Sequence, residues 1–428
     1  MQIEVLKRII TEQRKELEEE LRKETIIKRE NIDYVKKFLV APNILAILGV
    51  RRAGKSIFTM LLAKDLNENF AYINFDDERL MSVKTEDLDK ILQAFYELYG
   101  EITLIILDEI QNVDRWELFV NRLRRTKKVI ITGSNSQLLS GELATHLTGR
   151  HIDFTLYPFS FRELLNFKPN IYLTKDIAKA RVQLSNYIQE SGFPEFRKFG
   201  SGIVENIYRD IINKDCLDRY EIKYKKTFKE LSNYLISNFS KEFTYSKLLN
   251  IFNIKDVHTV KNYIEYLKEA FLIIILDRFS LKLKQHFIAP KKVYVVDHGI
   301  CNFLSFKISK NDGRLIENIV CIELLRKKSI NQNMEIFYWK DHQQNEVDFI
   351  IKEGLKIKNL IQTCYDLSDL ETKNREIKSL LKASKELRCN NLLVITWDHE
   401  AEETVKLNGL EAKVSFIPLW KWIIKENS

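Results

Sequence analysis

Gly49-Val50-Arg51-Arg52-Ala53-Gly54-Lys55-Ser56 is the stretch that decides the fold of this chain. The apolar run Ile44–Leu48 precedes it, and Ile57-Phe58-Thr59-Met60-Leu61-Leu62-Ala63-Lys64 follows with the composition of a helix. Strand, Gly-x-x-x-x-Gly-Lys-Ser, helix is the context that a phosphate-binding loop requires. Its glycines let the backbone turn tightly enough to aim successive N–H groups at phosphate oxygens. The positive end of the following helix adds to that attraction. All eight residues are expected to line the nucleotide, with Lys55 reaching the outer phosphates and the Ser56 hydroxyl coordinating Mg²⁺. A nucleoside triphosphate is the ligand this pattern predicts.

Working outward, apolar runs alternate with helical patterns from residue 44 to about 167, with strands at 44–48, 71–75, 104–107 and 129–132. That alternation predicts an α/β fold with a parallel sheet covered on both faces. Asp108 and Glu109 end the third strand, where open α/β sheets bind ligands. Asp108 is expected to hold Mg²⁺, through water or through Ser56, and Glu109 to polarise the attacking water. The next strand runs into Thr132-Gly133-Ser134-Asn135-Ser136. Ser134 and Asn135 are therefore candidates to sense the γ-phosphate, although Gly-Ser-Asn-Ser is also ordinary turn composition.

At 428 residues the chain exceeds one ordinary core. Hydrophobic residues at 45% and charged residues at 30% are those of a folded soluble protein. No apolar run approaches the ~18–20 residues that span a bilayer. The N-terminus carries acids and no secretory apolar region, so a cytoplasmic protein is expected. Five scattered cysteines without a Cys-x-x-Cys pair suggest neither zinc nor disulfides. The net charge of +8 permits nucleic-acid contact without arguing for it.

The expected organisation is an N-terminal helical segment at 1–35, the ATPase core at 36–167, a helical linker or lid at 168–225, a winged helix-turn-helix at 226–288 and a small mixed α/β domain at 289–428. In the fourth segment a helix at 228–239 precedes Thr244 and Asp256, which read as caps of two further helices. His258, Thr259, Lys261 and Asn262 form its possible recognition face. Arg278, Lys282, Lys284, Lys291 and Lys292, with no acid from 278 to 292, could form a DNA-touching wing. Such modules also serve as lids and protein contacts. In the last segment a helix at 314–327 precedes strands at 336–339, 346–351 and 359–363, a helix at 369–387, and strands at 392–396 and 414–417.

Taken together, the loop, Leu107-Asp108-Glu109-Ile110-Gln111, Thr132-Gly133-Ser134-Asn135-Ser136, Leu147-Thr148-Gly149-Arg150 and Tyr157-Pro158-Phe159-Ser160-Phe161 resemble the AAA-related ATPases of archaea and bacteria that carry a C-terminal domain of unknown function. The resemblance implies ATP as ligand and Mg²⁺-dependent hydrolysis, with Lys55, Glu109, Asn135 and Arg150 in catalytic roles. Arg150 matches the arginine finger, acting from a neighbouring subunit if the chain forms a homo-oligomer. The last segment resembles the PD-(D/E)xK nuclease fold through Gly313-Arg314-Leu315-Ile316-Glu317-Asn318 and Asn345-Glu346-Val347-Asp348-Phe349. That likeness implies metal ligation by Glu317 and Asp348. The third strand, however, reads Leu360-Ile361-Gln362-Thr363-Cys364, with Gln362 for the acid and Cys364 for the lysine. Lys356 or Lys358 lie just before it as substitutes. A nuclease fold used for binding is the expectation, and an ATP-gated nuclease the alternative. For the whole chain, the function expected is ATP hydrolysis coupled to movement of the rear domains on DNA or a protein partner, or a slow nucleotide-dependent switch.

Overall fold

The computed structural model describes residues 1–23, 26–40, 43–139, 149–305, 312–407 and 410–425. The chain divides into two compact units, Met1–Phe159 with Glu269–Phe271, and Ser160–Lys268 with Leu272–Ser428.

In the first unit, β1 (Ile44–Leu48), β2 (Phe70–Asn74), β3 (Leu104–Asp108), β4 (Lys128–Gly133) and β5 (His151–Thr155) form a five-stranded sheet in the order β2-β3-β4-β1-β5. Every pairing is parallel. Side chains alternate across a strand, so a sheet covered on both sides needs apolar residues at every position. The central strands obey this. Ile44, Ala46, Leu48, Ile105, Leu107, Val129 and Ile131 enter one core, and Leu45, Ile47, Leu104, Ile106 and Ile130 the other. The helix Leu88–Tyr99 covers the first face with Leu88, Ile91, Ala94 and Phe95. The helix Lys55–Leu66 covers the second with Phe58, Met60, Leu62 and Ala63. The N-terminal helix Ile3–Lys23 buries Leu6, Ile9, Ile10 and Leu17. Its Gln13 also ties to the sheet end, donating to the Asn74 carbonyl at 3.0 Å and accepting the Asn74 N–H at 2.9 Å.

In the second unit, the helix Lys225–Ser237 is followed by β6 (Lys241–Phe243), the helices Tyr245–Ile251 and Val257–Glu269, β7 (Ile273–Leu276), the helix Leu283–Ile288 and β8 (Lys291–Val295). The strands make an antiparallel sheet in the order β6-β8-β7. Thr244 caps its helix by accepting the Lys247 N–H at 3.2 Å, and Asp256 accepts that of Thr259 at 3.1 Å. Both caps fall where the sequence put them.

The helix Asp312–Ile330 then leads into β9 (Met334–Lys340), β10 (Glu346–Glu353), β11 (Lys356–Cys364), β12 (Leu392–Thr396), β13 (Ala401–Leu407) and β14 (Leu410–Pro418). They form a mixed six-stranded sheet in the order β13-β14-β12-β11-β10-β9. The helix Leu370–Leu387, capped by Asp369, buries Ile377, Leu380 and Leu381 against it. No helix among the described residues is long and apolar enough to cross a membrane.

Candidate active site

Strand order positions the site. β4 lies between β1, which feeds the loop, and β3, which ends in Asp108, so all three strand ends converge on one sheet edge. The loop requires backbone that side chains resist: φ is +148° at Gly49, +65° at Arg52 and +90° at Gly54. At Gly49 a Cβ would stand 2.2 Å from the Leu156 carbonyl oxygen, which belongs to rigid backbone beyond β5. Gly49→Ala is therefore expected to cost about 1–3 kcal/mol, read as a lower denaturation midpoint together with weaker nucleotide binding. An unchanged midpoint would contradict this packing.

Lys55 opens the helix at 5% exposure, its ammonium donating to the carbonyls of Gly49 at 3.0 Å and Val50 at 3.3 Å. It also lies 3.4 Å from Glu109 Oε1. Glu109 reaches it because its backbone leaves β3 in the left-handed region, φ +51°, and turns the carboxylate off the strand direction. Such a conformation costs a non-glycine residue roughly 1–3 kcal/mol and persists only where the surroundings enforce it. They do so here: the Glu109 N–H bonds Thr132 Oγ1 at 3.0 Å. Glu109 Oε2 accepts from Gln111 and from the Ser134 N–H and hydroxyl, the latter two at 3.2 Å. Burial works to raise the Glu109 pKa, but the Lys55 and Arg51 charges and these hydrogen bonds bring it below the usual carboxylate value.

Asp108 is fully buried. It accepts from the Tyr72 hydroxyl at 2.7 Å and from Thr132. Burial first, then the neighbouring Glu109 charge, push its pKa up against those hydrogen bonds. Burial and the Asp108 charge likewise raise Tyr72 well above its ordinary value, so its phenol stays a donor. The Ser56 hydroxyl also works to lower the Asp108 pKa, so a hydroxyl and a carboxylate stand near each other as a hard-oxygen pair suited to Mg²⁺. Tyr72, Thr132 and Gln111 were not among the sequence candidates. Their only signal is a polar tip inside or beside an apolar strand, and it has meaning only once the strand order is known.

Ser134 and Asn135 are both buried at the end of β4, and the Asn135 carbonyl accepts the Leu138 N–H at 3.3 Å. Arg51 pairs with Asp76 at 2.9 Å. Arg150 stands apart. Its carbonyl accepts the Ile44 N–H at 2.9 Å, so it sits at the start of β1, with about 16 Å of strand between it and the loop. Its guanidinium reaches Asn121 Oδ1 at 3.4 Å and is exposed. Within one chain Arg150 does not approach Lys55. Leu147 and Thr148 of the same motif lie outside the described residues.

The second unit corrects two sequence expectations. Lys292 is not a surface residue of a basic wing. It is 2% exposed, with its ammonium 2.9 Å from Glu317 Oε1, 3.0 Å from Asp348 Oδ1 and 2.6 Å from Glu346 Oε1. Lys291 pairs with Asp277, and Arg278 donates to the Lys340 carbonyl. Of the five basic residues, Lys282 and Lys284 remain exposed. The sequence looked acid-free there because the acids that claim the lysines lie just outside or far beyond the segment. Nor do Glu317 and Asp348 fit a metal, since an ammonium already touches both. Gln362 fills its own position structurally, accepting the Asp348 N–H at 3.2 Å and donating to Glu376 at 2.6 Å.

Family models match along most of the chain: an AAA domain at 41–165, a domain of unknown function (DUF8612) at 181–312 and another (DUF4143) at 312–421. The uncharacterized protein MJ1544 of Methanocaldococcus jannaschii is 38% identical over 404 residues, covering 90% of this chain and 89% of its own length. An uncharacterized protein of Haemophilus influenzae is 31% identical over 362 residues, covering 80% and 88%. Among solved structures, a Walker-type ATPase of Pyrococcus abyssi matches with a TM-score of 0.41 and 14% identity, over 65% of this chain and 96% of that one.

Proposed function

The chain belongs to the family that joins an AAA domain to a C-terminal DUF4143 domain, and from that premise we propose that it binds ATP with Mg²⁺ and hydrolyses it, using nucleotide state to change how its second unit engages a partner. One observation carries the catalytic half: Lys55, which opens the helix after the loop, is paired with Glu109, the residue that follows Asp108 at the end of β3. The amides of 49–56 and the Lys55 ammonium bind the phosphates. Ser56 and Asp108 hold the Mg²⁺, which neutralises phosphate charge when bound. Phosphates compete with Glu109 for Lys55, and the carboxylate they displace is free to accept a proton from the attacking water. Ser134 and Asn135 sit where they can register the γ-phosphate. Phosphate release from ATP, lost in Asp108→Asn, tests this; a wild-type chain without turnover would end it. A slow switch is the second reading, because the Lys55–Glu109 pair must reopen in each cycle; a very slow rate unaffected by any partner would favour it.

Arg150, exposed and remote from its own loop, is suited to act on the nucleotide of a second copy. Arg150→Ala should keep its stability within about 0.5 kcal/mol and keep ATP binding, while turnover falls about 10³-fold. Wild-type turnover in that variant would remove the role. For the partner, we read residues 226–288, followed by β8, as a winged helix. His258, Lys261 and Asn262 are exposed on the helix Val257–Glu269, but Glu265 shares that helix and pairs with Lys268 at 2.8 Å. With three of the five wing cations engaged internally, a protein partner is favoured over DNA. No mobility shift is expected at low salt; a shift that weakens steeply with salt would restore DNA.

A further inference from the structure

The contacts around Lys292 have a meaning of their own, independent of the nucleotide. Glu317 on the helix Asp312–Ile330 and Glu346 and Asp348 on β10 bring three carboxylates to one buried point, and the Lys292 ammonium from β8 is within 3.0 Å of each. Mg²⁺ takes carboxylate oxygens at about 2.0–2.1 Å with near-octahedral demands. A dication serving both Glu317 Oε1 and Asp348 Oδ1 would have to stand where the lysine nitrogen is.

Further lone pairs of these acids are also committed. Glu317 Oε1 accepts the Tyr294 hydroxyl at 2.7 Å, and Asp348 Oδ2 accepts from the Thr363 N–H at 2.9 Å and hydroxyl at 2.8 Å. Charge is matched as well as space. A second ammonium, Lys340, lies 3.0 Å from Glu346 Oε2 and 2.7 Å from Glu242 Oε2, so two lysines deliver to this cluster the positive charge of one divalent ion. Carboxylates buried this closely would repel strongly without it.

We propose that Lys292 is a built-in replacement for a divalent cation: its ammonium occupies the ion's place among Glu317, Glu346 and Asp348, fastens β8 to β10, and makes this unit independent of metal. A corollary is that the metal site is latent. Truncating Lys292 leaves three acids and a vacated volume, a hard-oxygen set suited to Mn²⁺ or Mg²⁺.

The test uses the full-length, nucleotide-free protein with Mn²⁺ alone as probe, followed by electron paramagnetic resonance and thermal unfolding. Wild type should show no saturable Mn²⁺ binding that depends on Asp348. Lys292→Ala should melt several degrees lower, take up one Mn²⁺ and recover much of the lost melting temperature in millimolar Mn²⁺, as a ligand specific to the folded state must produce. Adding Asp348→Asn should abolish that recovery. Saturable Mn²⁺ binding in wild type that vanishes in Asp348→Asn would overturn the proposal, as would a folded Lys292→Ala chain that takes up none. If Lys292→Ala does not fold, Lys292→Gln with Glu346→Gln decides. A melting temperature above that of Lys292→Gln alone supports the counter-ion role, and one no higher contradicts it.

Discussion

Glu109→Gln is expected to bind ATP at least as tightly as the wild-type chain while turning it over about 10²–10⁴-fold more slowly. Both halves follow from the same contacts. The carboxylate is the group placed to take a proton from water, and an amide of the same shape cannot do so. Its removal also frees Lys55, 3.4 Å away, from a competitor for the phosphates. The fold should survive, because the amide oxygen can still accept from Gln111 and the Ser134 N–H, and Lys55 keeps the Gly49 and Val50 carbonyls. Single-turnover phosphate release and equilibrium ATP binding separate the two effects. Fast turnover would refute the assignment of Glu109, and weakened binding would refute the competition.

The second large effect is expected at Lys55. Lys55→Ala removes charge-assisted hydrogen bonds worth about 1.5–3 kcal/mol each, so ATP should bind at least ~10–150-fold more weakly. The substitution acts on the apo protein too. Glu109 would lose its nearest cation while staying buried, a change that costs about 3–5 kcal/mol where nothing else holds the remaining charge. Gln111 and Ser134 do hold it, which places the expected loss at the low end. Lys55→Ala combined with Glu109→Gln should then recover stability but not ATP binding. Equal stability in the single and double variants would show that the ion pair has no energetic role.

What was legible in the sequence was local. The loop, its flanking strand and helix, and the Asp108–Glu109 pair are contiguous, and the buried parallel strands announce themselves as unbroken apolar runs. β5 escaped because it is an edge strand of mixed burial, and its His-Ile-Asp-Phe-Thr reads as polar. β13, another edge strand, hides behind Ala-Glu-Glu-Thr-Val-Lys-Leu in the same way. The contacts that set the site's electrostatics are not local. Tyr72 meets Asp108 across 36 residues of chain and Lys292 meets Asp348 across 56. No spacing rule joins them, and a lysine among other lysines looks solvated until the sheet that buries it is known.

Isothermal titration of the nucleotide-free chain with ATP and Mg²⁺ tests the phosphate cradle most directly. A saturable heat for one nucleotide per chain is expected, sharply reduced in Lys55→Ala and weakened when Mg²⁺ is omitted or Asp108 is replaced by Asn. No heat with the wild-type chain, or the same isotherm with and without Lys55, would contradict it.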